Sequence, residues 1–303
     1  MSRGEVRVRV PAKVNLALCV GPSRADGYHE LATIFQAVSL YDEVVAAEAD
    51  GRVSCQVTGT DAALVGPERR NLAYRAAQLL RKEYGVRAGV RLTIDKRIPI
   101  AAGLAGGSAD GAGALLACAR LWGLAVSADD LLRLAGELGA DVPFPLMGGC
   151  AVGLGRGETL TPALTRGVFH WVLALSGQGL STPAVFARFD ELWSKDGGDL
   201  PHPVVPAELM RALATGDVAG VGARLVNDLQ EAACSMAPSL KATLAAGREA
   251  GAVGAMVSGS GSAVAFLADG EQAAIDLAVK VSSQGVANQV RLVTGPVPGA
   301  TVV

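Results

Sequence analysis

A glycine-rich segment at residues 99–110 constrains the fold more than any other part of the chain. It has the sequence Pro-Ile-Ala-Ala-Gly-Leu-Ala-Gly-Gly-Ser-Ala-Asp, after a strand-like run at 90–98 and before a helix-like run at 108–122. Small residues let backbone N–H groups approach an anion closely, and a helix N-terminus adds positive potential. The segment therefore predicts a phosphate-binding turn, with Ser108 either as the N-cap or as a hydroxyl near a phosphate-bound metal.

This turn does not follow the two best-known phosphate motifs. Neither the Walker A pattern G-x-x-x-x-G-K-[ST] nor the dinucleotide pattern G-x-G-x-x-G matches it. A tight turn that needs glycines only for its backbone conformation therefore stays an alternative when the segment is considered alone.

The hydrophobic pattern predicts an α+β protein with two lobes. In the first lobe, residues 1–160, period-two runs predict strands at 6–10, 14–20, 33–40, 43–48, 53–58 and 90–98. Helices are predicted at 71–84, 108–122 and 127–139, with a short one starting at 141–144. Asn71 and Ser127 are the predicted N-terminal residues of two of these helices, and Gly85 and Gly139 the predicted ends.

The second lobe, residues 161–303, is predicted to combine helices with a small antiparallel sheet. Strands are expected at 168–175, 252–257, 263–268 and 289–294, and a glycine turn at 258–261 joins the middle two. Helices are expected at 182–192, 207–213, 218–225, 239–250 and 271–283, and residues 195–206 form the clearest loop.

Composition excludes several classes of function. The formal net charge is −2 without a basic block, which argues against nucleic acid as a partner. The charged, strand-like N-terminus is not expected to be a signal peptide, and no membrane span is expected, because no run approaches the required length. The five cysteines are scattered, which predicts buried free thiols in a cytoplasmic protein, and the three histidines give a zinc site no support.

Three further clusters contain candidate chemical groups. Lys13 lies in an apolar strand, two residues before Asn15. Burial of an unpaired charge is costly, but a lysine in an edge strand is ordinary, so Lys13 alone need not be functional. Residues 26–30, Asp-Gly-Tyr-His-Glu, fit an exposed turn. Asp141 would serve equally well as a helix N-cap. A phosphate loop, a lysine and an aspartate are together the groups that phosphoryl transfer requires, but their spacing does not prove that they meet.

Taken in order along the chain, these motifs resemble those of the GHMP kinases. The loop at 99–109 is similar to the P-x-x-x-G-L-G-S-S-A signature of that superfamily. Three further motifs are similar to those of the superfamily members that act on a CDP-linked methylerythritol. They are Pro-Ala-Lys-Val-Asn-Leu at 11–16, Arg-Ala-Asp-Gly-Tyr-His at 24–29 and Gly-Ala-Asp-Val-Pro-Phe at 139–144. The resemblance runs nearly from end to end.

The resemblance implies a two-lobed α+β fold with the active site in the cleft between the lobes. It implies a kinase that uses ATP and Mg²⁺ to phosphorylate the 2-hydroxyl of the methylerythritol unit, for isoprenoid precursors. Asp141 would be the base, and Lys13 would keep it ionised. Asn15 would orient the substrate, Tyr28 and Phe186 would stack on the cytosine, and His29 would bind its edge.

The same resemblance assigns the ATP phosphates to the glycine loop, and a third motif closes the site. The expected ATP-binding residues are Pro99, Ile100, Ala101, Ala102, Gly103, Leu104, Ala105, Gly106, Gly107, Ser108 and Ala109. The closing turn would consist of Gly259, Ser260 and Gly261, and Ser108 would contact the metal. Small molecules are the expected partners, without nucleic acid or membrane, for a monomer or weak homodimer.

The chain departs from the family pattern at four positions of the loop. Ala101, Ala102 and Ala105 stand where glycines are usual, and Ala109 replaces the second serine. The added methyl groups predict a slightly different loop backbone. Two alternatives stay open: a GHMP kinase for another alcohol, such as homoserine or a mevalonate derivative, and a binding protein that has lost catalysis.

Overall fold

Two long antiparallel strands form the centre of the larger sheet: β1 (Glu5–Ser23) and β2 (His29–Ala49). We describe a computed structural model, covering residues 4–196 and 200–303. In β1, one set of alternating apolar side chains is fully buried in the main core: Val8, Val10, Ala12, Val14 and Leu16. Because successive side chains of a strand point to opposite faces, Lys13 and Asn15 lie on the other face.

The rest of the first half surrounds this hairpin with helices and shorter strands. Its further elements are β3 (Val53–Gly59), α1 (Leu72–Tyr84), β4 (Gly89–Lys96), α2 (Gly106–Leu121), α3 (Ala128–Leu138), α4 (Pro143–Met147), β5 (Cys150–Gly155) and β6 (Thr159–Pro162). The strands of this half have the order β1-β2-β4-β3, and β2 is long enough to pair with both β4 and β5. Helix α2 packs on β1 and β2, so its N-terminus is fixed against the centre of the sheet.

The second half forms a four-stranded sheet with the order β11-β7-β10-β9. Its elements are β7 (Phe169–Leu175), α5 (Thr182–Asp196), α6 (Ala207–Thr215), α7 (Val218–Gly222), β8 (Val226–Asn227), α8 (Gln230–Met236), α9 (Ser239–Glu249), β9 (Gly254–Val257), β10 (Val264–Ala268), α10 (Glu271–Ser283), β11 (Gln289–Gly295) and β12 (Thr301–Val302). Both β8 and β12 pair with β1, so strands of the second half complete the first sheet. The boundary near residue 160 stays a prediction.

The predicted helix ends at Asn71, Gly85 and Ser127 are confirmed. Asn71 Oδ1 accepts a hydrogen bond from the Ala73 backbone N–H at 2.8 Å, and the Ser127 side chain caps α3 in the same way. Gly85 ends α1 in the left-handed conformation with φ 64°. These ends are specified locally, which is why the sequence alone identified them.

Other expectations about elements are wrong. The strands predicted at 6–10 and 14–20 form one strand, because a bulge after Pro11 accommodates a residue that has no backbone N–H. The strands predicted at 33–40 and 43–48 also form one strand. Ser108 is not the N-cap of α2, which begins at Gly106 after Ala105. No sequence pattern predicts β5, β6, β8, β12 or α8, each of which spans only two to seven residues.

Two observations concern the chemistry of the chain as a whole. All five cysteines are free; Cys118, Cys150 and Cys234 are buried, whereas Cys19 and Cys55 are half-buried. Within residues 4–196 and 200–303, no helix is long and apolar enough to cross a membrane.

Candidate active site

A cleft of about 700 Å³ brings together most of the residues that the sequence singled out. The predicted residues that line it are Lys13, Asn15, Tyr28, His29, Pro99, Ala101, Ala102, Gly103, Ala105, Gly106, Gly107, Ser108, Asp141, Phe186, Gly259 and Ser260. Four others do not line it. Leu104 and Ala109 are fully buried behind the loop, Ile100 lines a neighbouring cavity, and Gly261 packs within the turn.

The glycine loop crosses the cleft between β4 and α2 with a left-handed backbone at three positions. The φ angles are 53° at Ala101, 77° at Gly103 and 58° at Ala105. A Cβ atom at Gly103 would collide with the Ser258 carbonyl oxygen, so the loop and the closing turn touch through backbone atoms. This close approach explains the need for glycine at that point.

Ala101 and Ala105 therefore keep a conformation that glycine adopts more readily. We expect Ala105→Gly to raise the free energy of unfolding by about 0.5–1 kcal/mol. The left-handed conformation costs an L-residue about 1–2 kcal/mol, which glycine avoids. Glycine in turn loses more conformational entropy on folding than alanine, which offsets about 0.5–1 kcal/mol of that gain. Urea denaturation measures the difference. The matched control is Ala109→Gly, buried inside α2, which should lose about 1 kcal/mol. Equal losses in both variants would contradict the strain at Ala105.

Lys13 is held by a chain of hydrogen bonds that starts from the strand backbone. Lys13 Nζ donates to Asn15 Oδ1 at 2.5 Å and to the Gly103 carbonyl at 2.9 Å. Asn15 Nδ2 donates to Thr33 Oγ1 at 2.9 Å, and Thr33 Oγ1 donates to the Ala17 carbonyl at 2.7 Å. Since the hydroxyl proton of Thr33 is used on Ala17, the Asn15 amide must present its oxygen to Lys13. Thr33 carries no sequence signal of its role, because its partners are set by the pairing of β1 with β2.

The electrostatics of the cleft link Lys13 to Asp141. Burial lowers the pKa of Lys13 from its ordinary value, and the negative charge of Asp141 opposes that change. Asp141 is half-buried between α3 and α4. The N-cap position of α4 is occupied by Val142, so the alternative of a capping role for Asp141 is wrong. Asp141 therefore caps no helix among the described residues and lines the cleft.

The other end of the cleft is aromatic. The His29 and Phe186 rings stack with centroids 5.4 Å apart, and Tyr28 is 56% exposed. His29 Nδ1 lies 2.7 Å from the Gly21 carbonyl, which can only accept, so Nδ1 is the donor of this hydrogen bond. His29 Nε2 lies 3.2 Å from Asp190 Oδ1.

Two residues at this end were missed by sequence analysis. Arg156 and Asp190 both line the cleft. Asp190 is one helical turn after Phe186 on α5, a spacing that places both on one face. That spacing is visible in the sequence, whereas nothing in the sequence links Arg156 to Tyr28.

The closing turn at 258–261 is fixed by side chains of the second half. Asn227 Nδ2 donates to the Val257 carbonyl at 2.7 Å and to the Gly259 carbonyl at 2.8 Å. Ser258 Oγ donates to the Gly103 carbonyl at 3.1 Å, and Ser260 Oγ shares a 2.9 Å hydrogen bond with Thr182 Oγ1. The turn is therefore tied to the glycine loop and to the start of α5.

A buried ion cluster supports α2 from below the loop. Lys96 Nζ donates to Asp42 Oδ2 at 2.5 Å and to Asp110 Oδ2 at 2.9 Å. Asp42 Oδ1 accepts from the Arg97 and Ile98 backbone N–H groups at 2.6 and 2.8 Å. Burial raises the pKa of Asp110, although the Lys96 charge opposes the shift. The cluster fixes the end of β4 to the first turns of α2.

A second cavity of about 230 Å³ lies on the other side of the loop. Its lining consists of Leu64, Val65, Gly66, Arg70, Asn71, Leu72, Lys96, Ile100, Ala101, Gly107 and Asp110. It shares Leu72, Ala101 and Gly107 with the main cleft, so the loop separates two adjoining spaces.

Comparison with known proteins gives a consistent result. Residues 71–149 match the model of the GHMP kinases N terminal domain, and residues 209–287 match GHMP kinases C terminal. The chain is 54% identical over 299 residues to the 4-diphosphocytidyl-2-C-methyl-D-erythritol kinase of Streptomyces coelicolor, covering 98% of this chain and 99% of the relative. Identity to the enzyme of that name from Mycolicibacterium smegmatis is 50% over 303 residues, covering 100% and 94%.

Solved structures agree in fold. A crystal structure of 4-(cytidine 5'-diphospho)-2C-methyl-D-erythritol kinase superposes with a TM-score of 0.75 at 37% identity, covering 95% of this chain and 98% of the other. Homoserine kinase from Cytophaga hutchinsonii superposes with a TM-score of 0.76 at 18% identity, covering 100% and 98%. The second likeness concerns the fold alone.

Proposed function

Because the chain belongs to the 4-diphosphocytidyl-2-C-methyl-D-erythritol kinase family of the GHMP kinases, we propose that it transfers the γ-phosphoryl group of ATP to the 2-hydroxyl of 4-diphosphocytidyl-2-C-methyl-D-erythritol. The main support is the single cleft that has Lys13 and Asp141 beside the glycine loop and Tyr28 and His29 at its other end. Phosphoryl transfer depends mostly on positioning and charge stabilisation, and this cleft supplies groups for both.

In the proposed reaction, Asp141 accepts the proton of the attacking hydroxyl. Asp141 lines the cleft and interacts electrostatically with Lys13, and a carboxylate in this position can serve as a general base. Lys13 is fixed by Asn15 and Gly103, so its charge has a defined position in the cleft. That charge also stabilises the negative charge that develops on the hydroxyl oxygen.

The glycine loop is proposed to hold the phosphates of ATP. The first N–H groups of α2 have no partners within the helix and lie at the cleft, where the helix dipole favours an anion. The second cavity, directly across the loop, gives the nucleoside a place next to its phosphates. The loop thereby places the γ-phosphate towards Lys13 and Asp141.

The site also fits Mg²⁺ held mainly by the phosphates. Among the residues that the structure describes, no group of three or more His, Cys, Asp or Glu side chains could hold a metal. Mg²⁺ commonly binds with few protein ligands, several waters and substrate phosphates. The half-buried Ser108 hydroxyl, in the first turn of α2, would hold the ion. The ion would neutralise phosphate charge during transfer.

The aromatic end of the cleft is proposed to bind the cytosine base. Tyr28 and Phe186 offer ring faces, and His29 Nε2 offers a polar group for the edge of the base. In the structure Phe186 stacks on His29 with ring centroids 5.4 Å apart, and both rings line this end of the cleft. Stacking between a base and an aromatic side chain contributes about 1–3 kcal/mol.

A coupled assay of ADP release tests the proposed function. Purified protein is given Mg-ATP with the CDP-linked methylerythritol, with homoserine or with mevalonate. ADP release with the CDP-linked alcohol alone supports the proposal. ADP release with another alcohol would support a kinase activity but contradict the proposed cytosine-binding site. ATP binding without release from any alcohol would instead support a binding protein that has lost catalysis.

Tyr28→Ala is expected to weaken binding of the CDP-linked substrate by about 1–3 kcal/mol, because the stacked face is lost. The expected sign is a higher KM for this substrate, with an unchanged KM for ATP. Tyr28→Phe is the matched control, since it keeps the ring and should keep most of the affinity. An unchanged substrate affinity in Tyr28→Ala would refute the stacking.

The remaining expectations about partners and location stay predictions. They are the absence of nucleic acid as a partner, a monomer or weak homodimer, and a place in the cytoplasm. We propose them on the charge pattern and the cysteine usage of the chain.

A further inference from the structure

Arg156 lies in the turn between β5 and β6 and is held at the aromatic end of the cleft. Its backbone N–H donates to Glu158 Oε2 at 2.7 Å, and its Nε donates to Glu158 Oε1 at 3.4 Å. The preceding residue, Gly155, pairs with Leu31 on β2, two residues beyond His29. Strand pairing therefore fixes Arg156 beside the segment that contains Tyr28 and His29.

The guanidinium group covers the ring of Tyr28. Its Cζ lies 5.1 Å from the ring centroid, a distance typical of a cation–π contact. Glu158 engages only Nε, and within residues 4–196 and 200–303 neither Nη1 nor Nη2 has a hydrogen-bond partner. The side chain is 29% exposed. Two of its three nitrogens are thus available to a ligand in the cleft.

The other charged side chains of the cleft show why the free Arg156 donors matter for binding an anion. Among the described residues that line it, the lysine and arginine side chains are Lys13 and Arg156, and the carboxylates are Asp141 and Asp190. Lys13 is already bound to Asn15 and to the glycine loop. An anion that enters at the aromatic end therefore meets Arg156, whose Nη1 and Nη2 groups are unused donors. A guanidinium group binds phosphate oxygens through two parallel hydrogen bonds.

We propose that Arg156 binds the diphosphate of the nucleotide-linked substrate while its planar face covers Tyr28. This inference rests on the proposed function, which places the base of the substrate at Tyr28. The diphosphate is joined to that base through one ribose, so it lies near the guanidinium when the base is stacked. Arg156 would then be a substrate-binding residue that distinguishes a nucleoside diphosphate from a nucleoside.

Calorimetric titration of the full chain with cytidine, CMP and CDP tests the proposal. The variants are Arg156→Met, which keeps most of the stem, and Arg156→Lys, which keeps the charge without the fork. Arg52→Met, at an exposed position outside the cleft, removes the same charge and is the matched control. Each titration is repeated at two salt concentrations, because attraction between charges weakens with ionic strength.

The expected result is a loss confined to the phosphorylated ligands. Arg156→Met should bind CDP at least about tenfold more weakly than wild type, which corresponds to about 1.4 kcal/mol. Its affinity for cytidine should fall much less, and the salt dependence of CDP binding should decrease. Arg156→Lys should retain part of the preference for CDP, and Arg52→Met all of it.

Two results would overturn the proposal. An equal loss for cytidine and CDP would mean that Arg156 acts only through Tyr28. Unchanged CDP affinity would mean that the guanidinium does not reach the phosphates. The failure of the proposed function looks different, since wild-type protein would then bind neither CDP nor cytidine and would release no ADP with the CDP-linked alcohol.

Discussion

The Asp141→Asn variant is expected to lose turnover by a factor of about 10²–10⁴, the usual contribution of a positioned general base. The amide keeps the size of the side chain but cannot accept a proton from the attacking hydroxyl. It also removes the negative charge whose attraction raises the pKa of Lys13 against the larger effect of burial. ATP affinity should change little, because the phosphates are proposed to bind at the glycine loop.

The measurement is kcat from ADP release, together with calorimetric affinities for ATP and CDP. Asp129→Asn is the matched control, since Asp129 is exposed in the first turn of α3 and outside the cleft. That variant should retain the wild-type kcat. Near-normal turnover in Asp141→Asn would show that another group accepts the proton. Equal loss of ATP affinity and kcat would show that Asp141 acts on binding.

The Lys96→Met variant is expected to lose about 3–5 kcal/mol of unfolding free energy, as breaking a buried ion pair by removing one partner generally does. Lys96 is 1% exposed and bonded to two carboxylates, of which Asp110 has an oxygen with no hydrogen-bond partner in the structure. Without the ammonium group, Asp42 and Asp110 would face each other uncompensated. The first turns of α2, and with them the phosphate loop, would lose their attachment to β4.

Urea denaturation of Lys96→Met measures this loss, and Lys82→Met, at an exposed position of α1, is the matched control. The control should lie within about 0.5 kcal/mol of wild type. The deficit should shrink as pH falls. Burial raises the pKa of Asp110 and Lys96 opposes that shift, so removal of Lys96 raises the pKa further in the variant, and proton uptake by Asp110 then favours the folded variant more than the folded wild type. A loss as small as that of the control would mean that the cluster adds nothing to stability.

Much of the site could be predicted because its motifs are local. The glycine loop between a strand and a helix, the turn at Tyr28 and His29, and the turn at 258–261 each depend on residues that are close in sequence. Helix ends such as Asn71 and Gly85 are specified by one side chain or one backbone conformation. The resemblance to the GHMP kinases then predicted that these motifs meet in one site.

The alanines of the loop show where local prediction fails. The methyl groups of Ala101 and Ala105 favour a backbone other than the left-handed one, yet both residues adopt it. Contacts of Gly103 with Ser258, and of Ala102 with Ala263, hold the loop from the second half of the chain. Tertiary contact outweighs a local preference of about 1–2 kcal/mol per residue.

Hydrophobic periodicity was enough to predict the fold class, and the resemblance of contiguous motifs to the GHMP kinases was enough to predict the family and the chemical types of the central groups. The distant residues that complete the site could be found only in the folded chain: Thr33 behind Asn15, Asp190 at His29, Arg156 on Tyr28, and two carboxylates on Lys96. These partners are separated by 14 to 161 positions along the chain. Strand register and helix packing bring them together, and neither is encoded in a local pattern.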